Sequence, residues 1–203
     1  CGQCLVSCPF GAIVDKSQIY QVIRSILEGN EVVAIVAPSF VGQFGRDVTV
    51  PKFLTAMKQL GFADVVEVAA GADICTIEEA HDFLEKVPNE QRFMATSCCP
   101  SWRMMARRLF PKESGNISTA RLVKKEHRNS KVVFIGPCAA KKLEAMQEDI
   151  RTDVDFVLTY EELMGIFEAK EINFSALPDS PDLDEGTRAG RGFAVAGGVA
   201  SFH

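Results

Sequence analysis

Cysteine is the residue type whose number and spacing in this chain could do the most chemistry. Three of the seven cysteines stand at the start, in the pattern Cys1-x2-Cys4-x3-Cys8, and Pro9 follows the last of them. Thiolates at this spacing can converge on one iron–sulfur cubane, because short loops with glycine bend tightly. C-x2-C is also a zinc spacing, so zinc is the competing interpretation. The Cys-Pro pair and the glycine-containing turn after it favour iron–sulfur.

The same pattern matches the last three cysteines of the bacterial ferredoxin sequence C-x2-C-x2-C-x3-C-P. In that arrangement the last cysteine, here Cys8, binds the other cluster of a two-cluster module. Cys1 and Cys4 would share a cluster with ligands that are absent from this chain. We therefore expect residues 1–28 to be the C-terminal part of a ferredoxin-type [4Fe-4S] module. Because the chain opens on a cysteine inside this motif, we also expect it to be part of a longer protein.

The remaining elements can be predicted from hydrophobic spacing. Helical spacing predicts helices at 17–28, 51–60, 76–86, 102–110, 139–148 and 161–168. The apolar, β-branched run at 32–36 predicts a strand, and further short strands are predicted at 65–68, 92–95, 131–135 and 154–158. Residues 174–191 are rich in proline, aspartate and glycine and are predicted to form a long loop. Short apolar strands that alternate with helices indicate an α/β fold with a parallel sheet flanked by helices.

Three predicted strands end in a proline-containing polar turn, at 37–39, 98–100 and 136–138. In parallel α/β sheets, sites form at the carboxyl ends of the strands. We therefore expect all three turns to lie at one edge of the sheet, where two of them would deliver cysteines to a cofactor. The alternative is that they are ordinary strand-to-helix connections with buried thiols.

Composition sets limits on the partners. The chain has 203 residues, of which 47% are hydrophobic and 24% charged, and its formal net charge is -5. It contains no run of eighteen apolar residues, so no membrane span is expected. The acidic balance and the scattered lysines and arginines argue against nucleic acid. With no secretory leader pattern at the start, metal ligation or reactive thiols are better explanations of the cysteines than disulfides.

Two further motifs resemble the signatures of one enzyme family. Residues 96–102 read T-S-C-C-P-S-W, which resembles the first signature of [FeFe]-hydrogenases, T-S-C-C-P-x-W. Residues 137–144 read P-C-A-A-K-K-L-E, which resembles the second signature, P-C-x-x-K-x-x-E. They stand in the family's order after a ferredoxin-like segment, and the similarity covers nearly the whole chain. The resemblance implies reversible reduction of protons to H2, with electrons that arrive through [4Fe-4S] clusters.

The resemblance also implies a cofactor and residues that bind it. The family's H-cluster is a [4Fe-4S] cubane bridged by a cysteine to a di-iron unit that carries CO, cyanide and a dithiolate. By motif position, Cys99 and Cys138 would be cubane ligands, and Cys98 would be the free thiol that passes protons to the dithiolate. Lys141 would hold a cyanide ligand by a charge-assisted hydrogen bond, and Glu144 lies in the same motif.

The turn at 37–39 resembles the family's turn that lines the di-iron unit. Pro38 would form part of the wall of the site, since proline fixes the backbone and removes a donor. Ser39 would donate a hydrogen bond to the di-iron unit.

Proton delivery needs a chain of groups within hydrogen-bond reach of one another. Residues 71–80 resemble the family segment that carries this relay, and Glu79 and Asp82 share a face of the predicted helix. We expect both residues to belong to the relay, with Ser118 completing the path. The alternative is that Thr76-x-x-Glu79 is a capping box and that Asp82 is simply solvated.

The chain departs from the family pattern in three places. The third signature, which supplies two further cysteines including the bridge to the di-iron unit, is absent, so two of the four H-cluster ligands are present. A stretch of roughly eight residues that the family usually has after 118–120 is missing, judged from the spacing of flanking matches. Gly136 stands where many members have a methionine beside the di-iron unit, a variation that resembles sensory branches.

The prediction for residues 29–203 is the N-terminal part of the catalytic domain of an iron hydrogenase. The partners implied are ferredoxin or another low-potential electron carrier, H2 and protons, and maturation proteins for the di-iron unit, in an anaerobic cytoplasm. The alternative function is a non-catalytic iron–sulfur protein of the same superfamily, an H2 sensor or a cluster-assembly relative. Cys98 and Lys141 favour the enzyme, because a cubane that only carries electrons has no use for either. A plain ferredoxin-like carrier would not need so large an α/β domain.

Overall fold

The computed structural model describes residues 2–94, 98–109, 129–148, 150–179 and 187–195. Its strands are β1 (Val32–Val36), β2 (Asp64–Glu67), β3 (Lys131–Gly136) and β4 (Phe156–Thr159). They form a parallel sheet in the order β2-β1-β3-β4. The predicted α/β class with a parallel sheet flanked by helices is therefore confirmed.

The helices are α1 (Gln3–Val6), α2 (Ile19–Leu27), α3 (Val50–Leu60), α4 (Val68–Lys86), α5 (Pro100–Leu109), α6 (Ala140–Glu144), α7 (Tyr160–Ala169) and α8 (Arg188–Gly192). Short 3-10 turns cover Pro38–Phe40 and Phe174–Ala176. Helix α7 begins with a capping box, in which Thr159 and Glu162 each accept a hydrogen bond from the other's backbone N–H. Within the described ranges, every helix is too short or too polar to cross a membrane.

Alternating residues of the strands build two cores, one on each face of the sheet. On one face, Val32, Ala34 and Val36 join residues of α2, α3 and α7 in the larger core. On the other face, Val33 and Ile35 pack with residues of β3, β4 and the segment 145–154. A strand between two packed layers has no solvent side, which is why β1 is wholly apolar.

The strand order places a topological switch point between β1 and β3. From β1 the chain moves outward to β2, then crosses back and enters β3 on the other side of β1. The two strands pair in parallel, from Val32 opposite Lys131 to Val36 opposite Ile135. Open α/β sheets bind their ligands in the crevice outside the carboxyl ends of the strands at such a point.

Two predicted elements differ from the structure in the middle of the chain. Helix α4 begins at Val68, not at 76, because the chain passes directly from β2 into a helix whose first turns bury Ala69 and Ala72. The strand predicted at 92–95 is wrong over 92–94, and Ala95 lies outside the described residues. Phe93 is 46% exposed, so this apolar run lacks the burial that would hold a strand.

Two more differences lie in the C-terminal part. The helix predicted at 139–148 is regular only over Ala140–Glu144. The loop predicted at 174–191 contains a 3-10 turn and helix α8. Arg191 of α8 forms two hydrogen bonds, of 2.9 and 2.8 Å, with the buried carboxylate of Glu67 at the end of β2. This bidentate pair holds helix α8 at the end of β2, a contact that the composition of the segment does not reveal.

Candidate functional site

The turns that follow β1 and β3 lie side by side at the switch point. The backbone N–H of Ala37 donates to the carbonyl of Ile135 at 2.9 Å, which extends the β1–β3 ladder to the start of the first turn. Pro38 and Ser39 follow in a 3-10 turn, and Cys138 stands two positions after Gly136, the last residue of β3. Two of the three predicted proline turns therefore share one edge of the sheet.

The third turn reaches this region through helix packing. Pro100 begins α5, and α5 contacts α6, which begins two residues after Cys138. Cys98 keeps contact with solvent, yet the protein mass around it raises the pKa of its thiol. The Lys141 ammonium opposes this rise in pKa, whereas Cys99 and Glu144 add to it. The two signature motifs are thus close enough in space for their charges to interact.

Lys141 is the charged centre of the second signature. Its ammonium donates to Glu144 Oε2 at 2.6 Å, and the two side chains are only 21% and 15% exposed. The same ammonium lies 5.3 Å from the centroid of the Phe134 ring, within the range of a cation–π interaction. A carboxylate and an aromatic ring therefore hold a partly desolvated cation beside Cys98.

Gly136 makes room for that aromatic ring. A Cβ atom on Gly136 would lie 2.4 Å from Cε1 and 2.9 Å from Cζ of Phe134. The ring therefore occupies the space into which a side chain at position 136 would extend. This is a physical reason for glycine where many family members are expected to have methionine.

Gly136→Ala should lower the free energy of unfolding by about 1–3 kcal/mol, because the buried Phe134 ring must leave its place. Urea unfolding of the apoprotein measures this loss. Gly165→Ala is the matched control, since the space around Gly165 in α7 is open. In that helix alanine should stabilise the protein by up to about 1 kcal/mol. Unchanged stability of the Gly136 variant would contradict the position of the ring.

Ser39 is bound by Tyr160, the first residue of α7. The Tyr160 hydroxyl donates to the carbonyl of Ala37 at 3.0 Å, so the Ser39 hydroxyl, 2.7 Å away, donates to the tyrosine oxygen. Burial raises the pKa of Tyr160 to about 12, although the bond to Ser39 opposes the rise. The proton of Ser39 is thus already used within the protein. Its donation to a di-iron unit stays a prediction and requires the hydroxyl to turn away from Tyr160.

Tyr160→Phe should lower the free energy of unfolding by about 1–2 kcal/mol, because Ala37 and Ser39 both lose a partly buried partner. Denaturant unfolding checks the value. Tyr20→Phe serves as the control, since Tyr20 is 69% exposed and its hydroxyl should contribute less than about 0.5 kcal/mol. Equal effects of the two substitutions would show that the Tyr160 hydroxyl does not support this turn.

Backbone N–H groups surround the thiol of Cys8 in the N-terminal segment. Hydrogen bonds from the backbone, chiefly those of Ala12 and Phe10, lower the pKa of Cys8. Such donors favour the thiolate, which is the form of cysteine that binds metals. Cys4 is exposed, and Cys1 lies outside the described residues. Their place in a cluster stays a prediction.

The predicted relay residues lie on α4, and their described contacts differ. Asp82 Oδ2 accepts a hydrogen bond from Lys86 at 2.8 Å, and its side chain is 55% exposed. Glu79 is half-buried and lies close to Cys75. Burial, and then the charge of Glu79, raise the pKa of Cys75 to about 11. Ser118 lies outside the described residues, so the relay itself stays a prediction.

The capping-box alternative for this helix is wrong. Thr76 lies in the middle of α4, and its hydroxyl donates to the carbonyl of Ala72 at 2.9 Å. A capping residue must stand at the start of a helix, where backbone N–H groups have no partner in the preceding turn. Sequence patterns around 76–79 could not reveal this, because the start of α4 is set by its packing on β2.

The donor set can be tested against the predicted cubane. In the part of the chain that the structure describes, no three His, Cys, Asp or Glu side chains converge so as to hold a metal ion. A [4Fe-4S] cubane takes four ligands, commonly thiolates. Cys99 and Cys138 could supply two of these four thiolates, and the helices that follow them contact each other. The other ligands would have to come from outside the described residues.

Comparison with known proteins identifies the family. The profile of the family described as "Iron only hydrogenase large subunit, C-terminal domain" matches residues 30–202. The chain belongs to this family. Iron hydrogenase 1 of Clostridium pasteurianum is 34% identical over 225 residues, which cover 94% of this chain and 39% of that protein. The NADP-reducing hydrogenase subunit HndD of Solidesulfovibrio fructosivorans is 30% identical, with 98% and 40% covered. The chain thus spans about two fifths of the length of these relatives.

Solved structures of the iron-only hydrogenase family share the fold. The apo [FeFe]-hydrogenase HydA1 from Chlamydomonas reinhardtii matches with a TM-score of 0.70 and 25% identity, over 87% of this chain and 54% of that one. Relatives with other names also match. The nuclear prelamin A recognition factor of Xenopus laevis is 28% identical over 224 residues, covering 89% of this chain and 49% of that protein. The family resemblance is therefore confirmed, whereas the activity requires its own evidence.

Proposed function

We propose that this chain is part of an [FeFe]-hydrogenase that catalyses 2 H⁺ + 2 e⁻ ⇌ H2, with electrons delivered through [4Fe-4S] clusters. The observation that carries the proposal is the meeting of the predicted motifs at the switch point. The turn with Ser39 lies beside the turn that follows β3. The thiol of Cys98 lies within the electrostatic influence of Lys141 and Glu144 from the second signature.

Cys99 and Cys138 would bind the cubane of the H-cluster, and Cys1, Cys4 and Cys8 would bind ferredoxin-type clusters. When bound, the H-cluster supplies the metal chemistry by which protons and electrons combine. For Cys8, this assignment is supported by the backbone hydrogen bonds that lower its pKa and so favour the thiolate. On this proposal residues 1–28 form the end of the cluster module and 29–203 the first part of the catalytic domain.

Lys141 would hold a cyanide ligand. A buried ammonium forms a stronger hydrogen bond with an anion than a solvated one does, because little water competes for it. Glu144 and Phe134 restrict where this ammonium can point. Pro38 and Ser39 would line the opposite wall of the site, in a turn that Tyr160 fixes.

Cys98 would move protons between the site and the solvent side. Cys98 is an exposed residue and adjoins Cys99 in the chain, which suits a role between the site and the solvent. The relay would pass protons to Cys98 through Glu79, Asp82 and Ser118. Because Asp82 is exposed and pairs with Lys86, it suits the entrance of such a path better than its interior.

Two features favour a second candidate, a non-catalytic member of the family that acts as an H2 sensor or in cluster assembly. The Phe134 ring fills the space at Gly136 where many members are expected to carry methionine beside the di-iron unit. The similarity to the nuclear prelamin A recognition factor shows that the family extends beyond proteins named as hydrogenases. The first candidate, the hydrogenase, also implies a ferredoxin-like electron donor, maturation proteins for the di-iron unit and an anaerobic cytoplasm.

Turnover in both directions separates the two candidates. The full-length protein would be matured and purified without oxygen, and its iron and sulfide content measured. We expect it to evolve H2 from reduced methyl viologen and to reduce oxidised viologen with H2. A protein that is loaded with iron and sulfide but inactive in both assays would favour the second candidate.

A further inference from the structure

Lys142 connects the N-terminal cysteine segment to the turn that follows Cys138. Its ammonium lies 2.5 Å from Asp15 Oδ2 and 2.9 Å from Glu162 Oε1, and it donates to the backbone carbonyl of Lys16 at 3.1 Å. These acceptors match the three N–H groups of a lysine. The Lys142 side chain is 11% exposed, so two carboxylates compensate a charge that is almost removed from water.

The carboxylate on the domain side of this contact is held rigidly. Glu162 Oε2 accepts from the backbone N–H of Thr159 at 2.8 Å within the capping box of α7. The Glu162 side chain is 12% exposed. A second bond lies close by, since Gln18 Oε1 accepts from the backbone N–H of Val157 in β4 at 2.8 Å. Residues 15–18 are therefore attached to the edge strand β4 through Gln18, and to the segment after β3 and the start of α7 through Lys142.

Two neighbouring lysines of the second signature thus have different partners. Lys141 contacts Glu144 and Phe134 within the domain, whereas Lys142 contacts the N-terminal segment. Along the chain, Asp15 stands seven positions after Cys8, and Lys142 stands four positions after Cys138. The contact therefore links Cys8 and Cys138, with only a short stretch of chain between each cysteine and the contact.

We propose that Lys142 is a positioning residue that fixes the N-terminal cluster segment against the turn of Cys138. The distance over which electrons are transferred between the two is thereby kept constant. This inference rests on the proposed function, because it requires a cluster on each side of the contact. Each transfer would oxidise a cluster of the N-terminal segment by one electron and reduce the cubane by one. Two transfers and two protons balance one H2. Lys142 exchanges neither electrons nor protons in this scheme.

The contact can be tested by trypsin cleavage after Lys16 in the full-length protein loaded with its clusters. The carbonyl of that peptide bond is the one that Lys142 binds. Lys142→Met is the main variant, since it removes the cation of the contact and leaves the residues beside the cleaved bond unchanged. Asp15→Asn is the second variant. Lys131→Met is the matched control, since it breaks a separate ion pair, 2.9 Å from Lys131 to Asp155.

We expect cleavage after Lys16 to become about fivefold faster in both variants and to stay unchanged in the control. Proteolysis follows the population of the open form, and losing one such partly buried interaction shifts that population by about this factor. Equal cleavage rates in all four proteins, wild type included, would overturn the proposed contact.

The functional part is tested by comparing two activities of the matured protein. H2 evolution driven by reduced ferredoxin requires electron entry, whereas exchange between D2 and water requires only the active site. In Asp15→Asn we expect the first to fall, because the separation between the clusters is no longer fixed, and the second to stay unchanged. Weaker magnetic coupling between the reduced clusters in electron paramagnetic resonance should accompany the fall. Unchanged activities, or a parallel fall in both, would overturn the inference.

Failure of the proposed function would look different. A wild-type protein that exchanges no D2 would contradict hydrogenase activity, and with it the electron-transfer role of Lys142. The cleavage result would then still report whether the contact itself exists.

Discussion

Cys98→Ala should nearly abolish H2 turnover, with a loss of about a hundredfold or more, and should leave the iron and sulfide content unchanged. A positioned proton donor contributes about 10²–10⁴ in rate, and alanine cannot carry a proton. Cys98 is the more exposed residue of the Cys98-Cys99 pair, and its thiol lies within the electrostatic influence of Lys141 and Glu144. Measuring H2 evolution and iron content on the same preparation checks both parts of this expectation.

Cys75→Ala is the matched control for this substitution. Cys75 is a half-buried thiol on α4, whose pKa is raised to about 11 by burial and by Glu79. We expect this variant to keep its turnover. If Cys98→Ala remained active, Cys98 would not be the proton carrier. If the variant lost iron, Cys98 would have to be a ligand, and the roles of the two neighbouring cysteines would be exchanged.

Cys99→Ala and Cys138→Ala should each remove the same cubane. Cys99 stands directly before α5, and Cys138 stands two positions before α6. These two helices contact each other. Because the four thiolates of a cubane act as one set, loss of one ligand is expected to cost the whole cluster in this site. Iron and sulfide per chain, together with the cluster's electron paramagnetic resonance signal, measure the loss.

The double variant Cys99→Ala/Cys138→Ala decides whether one cluster or two are involved. Ligands of a shared site are not additive, so the double variant should lose no more iron than either single variant. A loss twice as large would place the two cysteines in separate sites.

The sheet could be predicted from the sequence because its inner strands are buried on both faces. Such strands must be apolar throughout, and the runs at 32–36 and 131–135 agree with β1 and β3 almost residue by residue. The segment predicted as a strand at 92–95 reads R-F-M-A and contains no β-branched residue, and its described part, 92–94, forms no strand. Composition identifies a segment that could form a strand. Whether it pairs with a neighbouring strand depends on the packing of the whole fold.

Two of the three turns of the candidate site were also predictable, because parallel strands bring their carboxyl ends to one edge. The turn at 98–100 follows no strand in the described residues and comes near the other two through the packing of α5 on α6. The side chains that hold these turns were not predictable. Tyr160 contacts Ser39 from 121 positions away in the chain, and Lys142 contacts Asp15 from 127 positions away. Such contacts depend on the order of the strands, which one sequence does not reveal. The pattern Thr159-x-x-Glu162 was the one local signal of this region, since it marks the start of α7.

Infrared spectroscopy of the matured, full-length protein tests the hydrogenase assignment most directly. Carbon monoxide and cyanide bound to iron absorb where proteins themselves do not, so their bands report the di-iron unit without reference to turnover. We predict bands of both ligands in the wild type, and a shift of the cyanide bands in Lys141→Met, whose ammonium would no longer bind that ligand. A protein that contains its cubane but shows neither set of bands would contradict an H-cluster at this edge of the sheet.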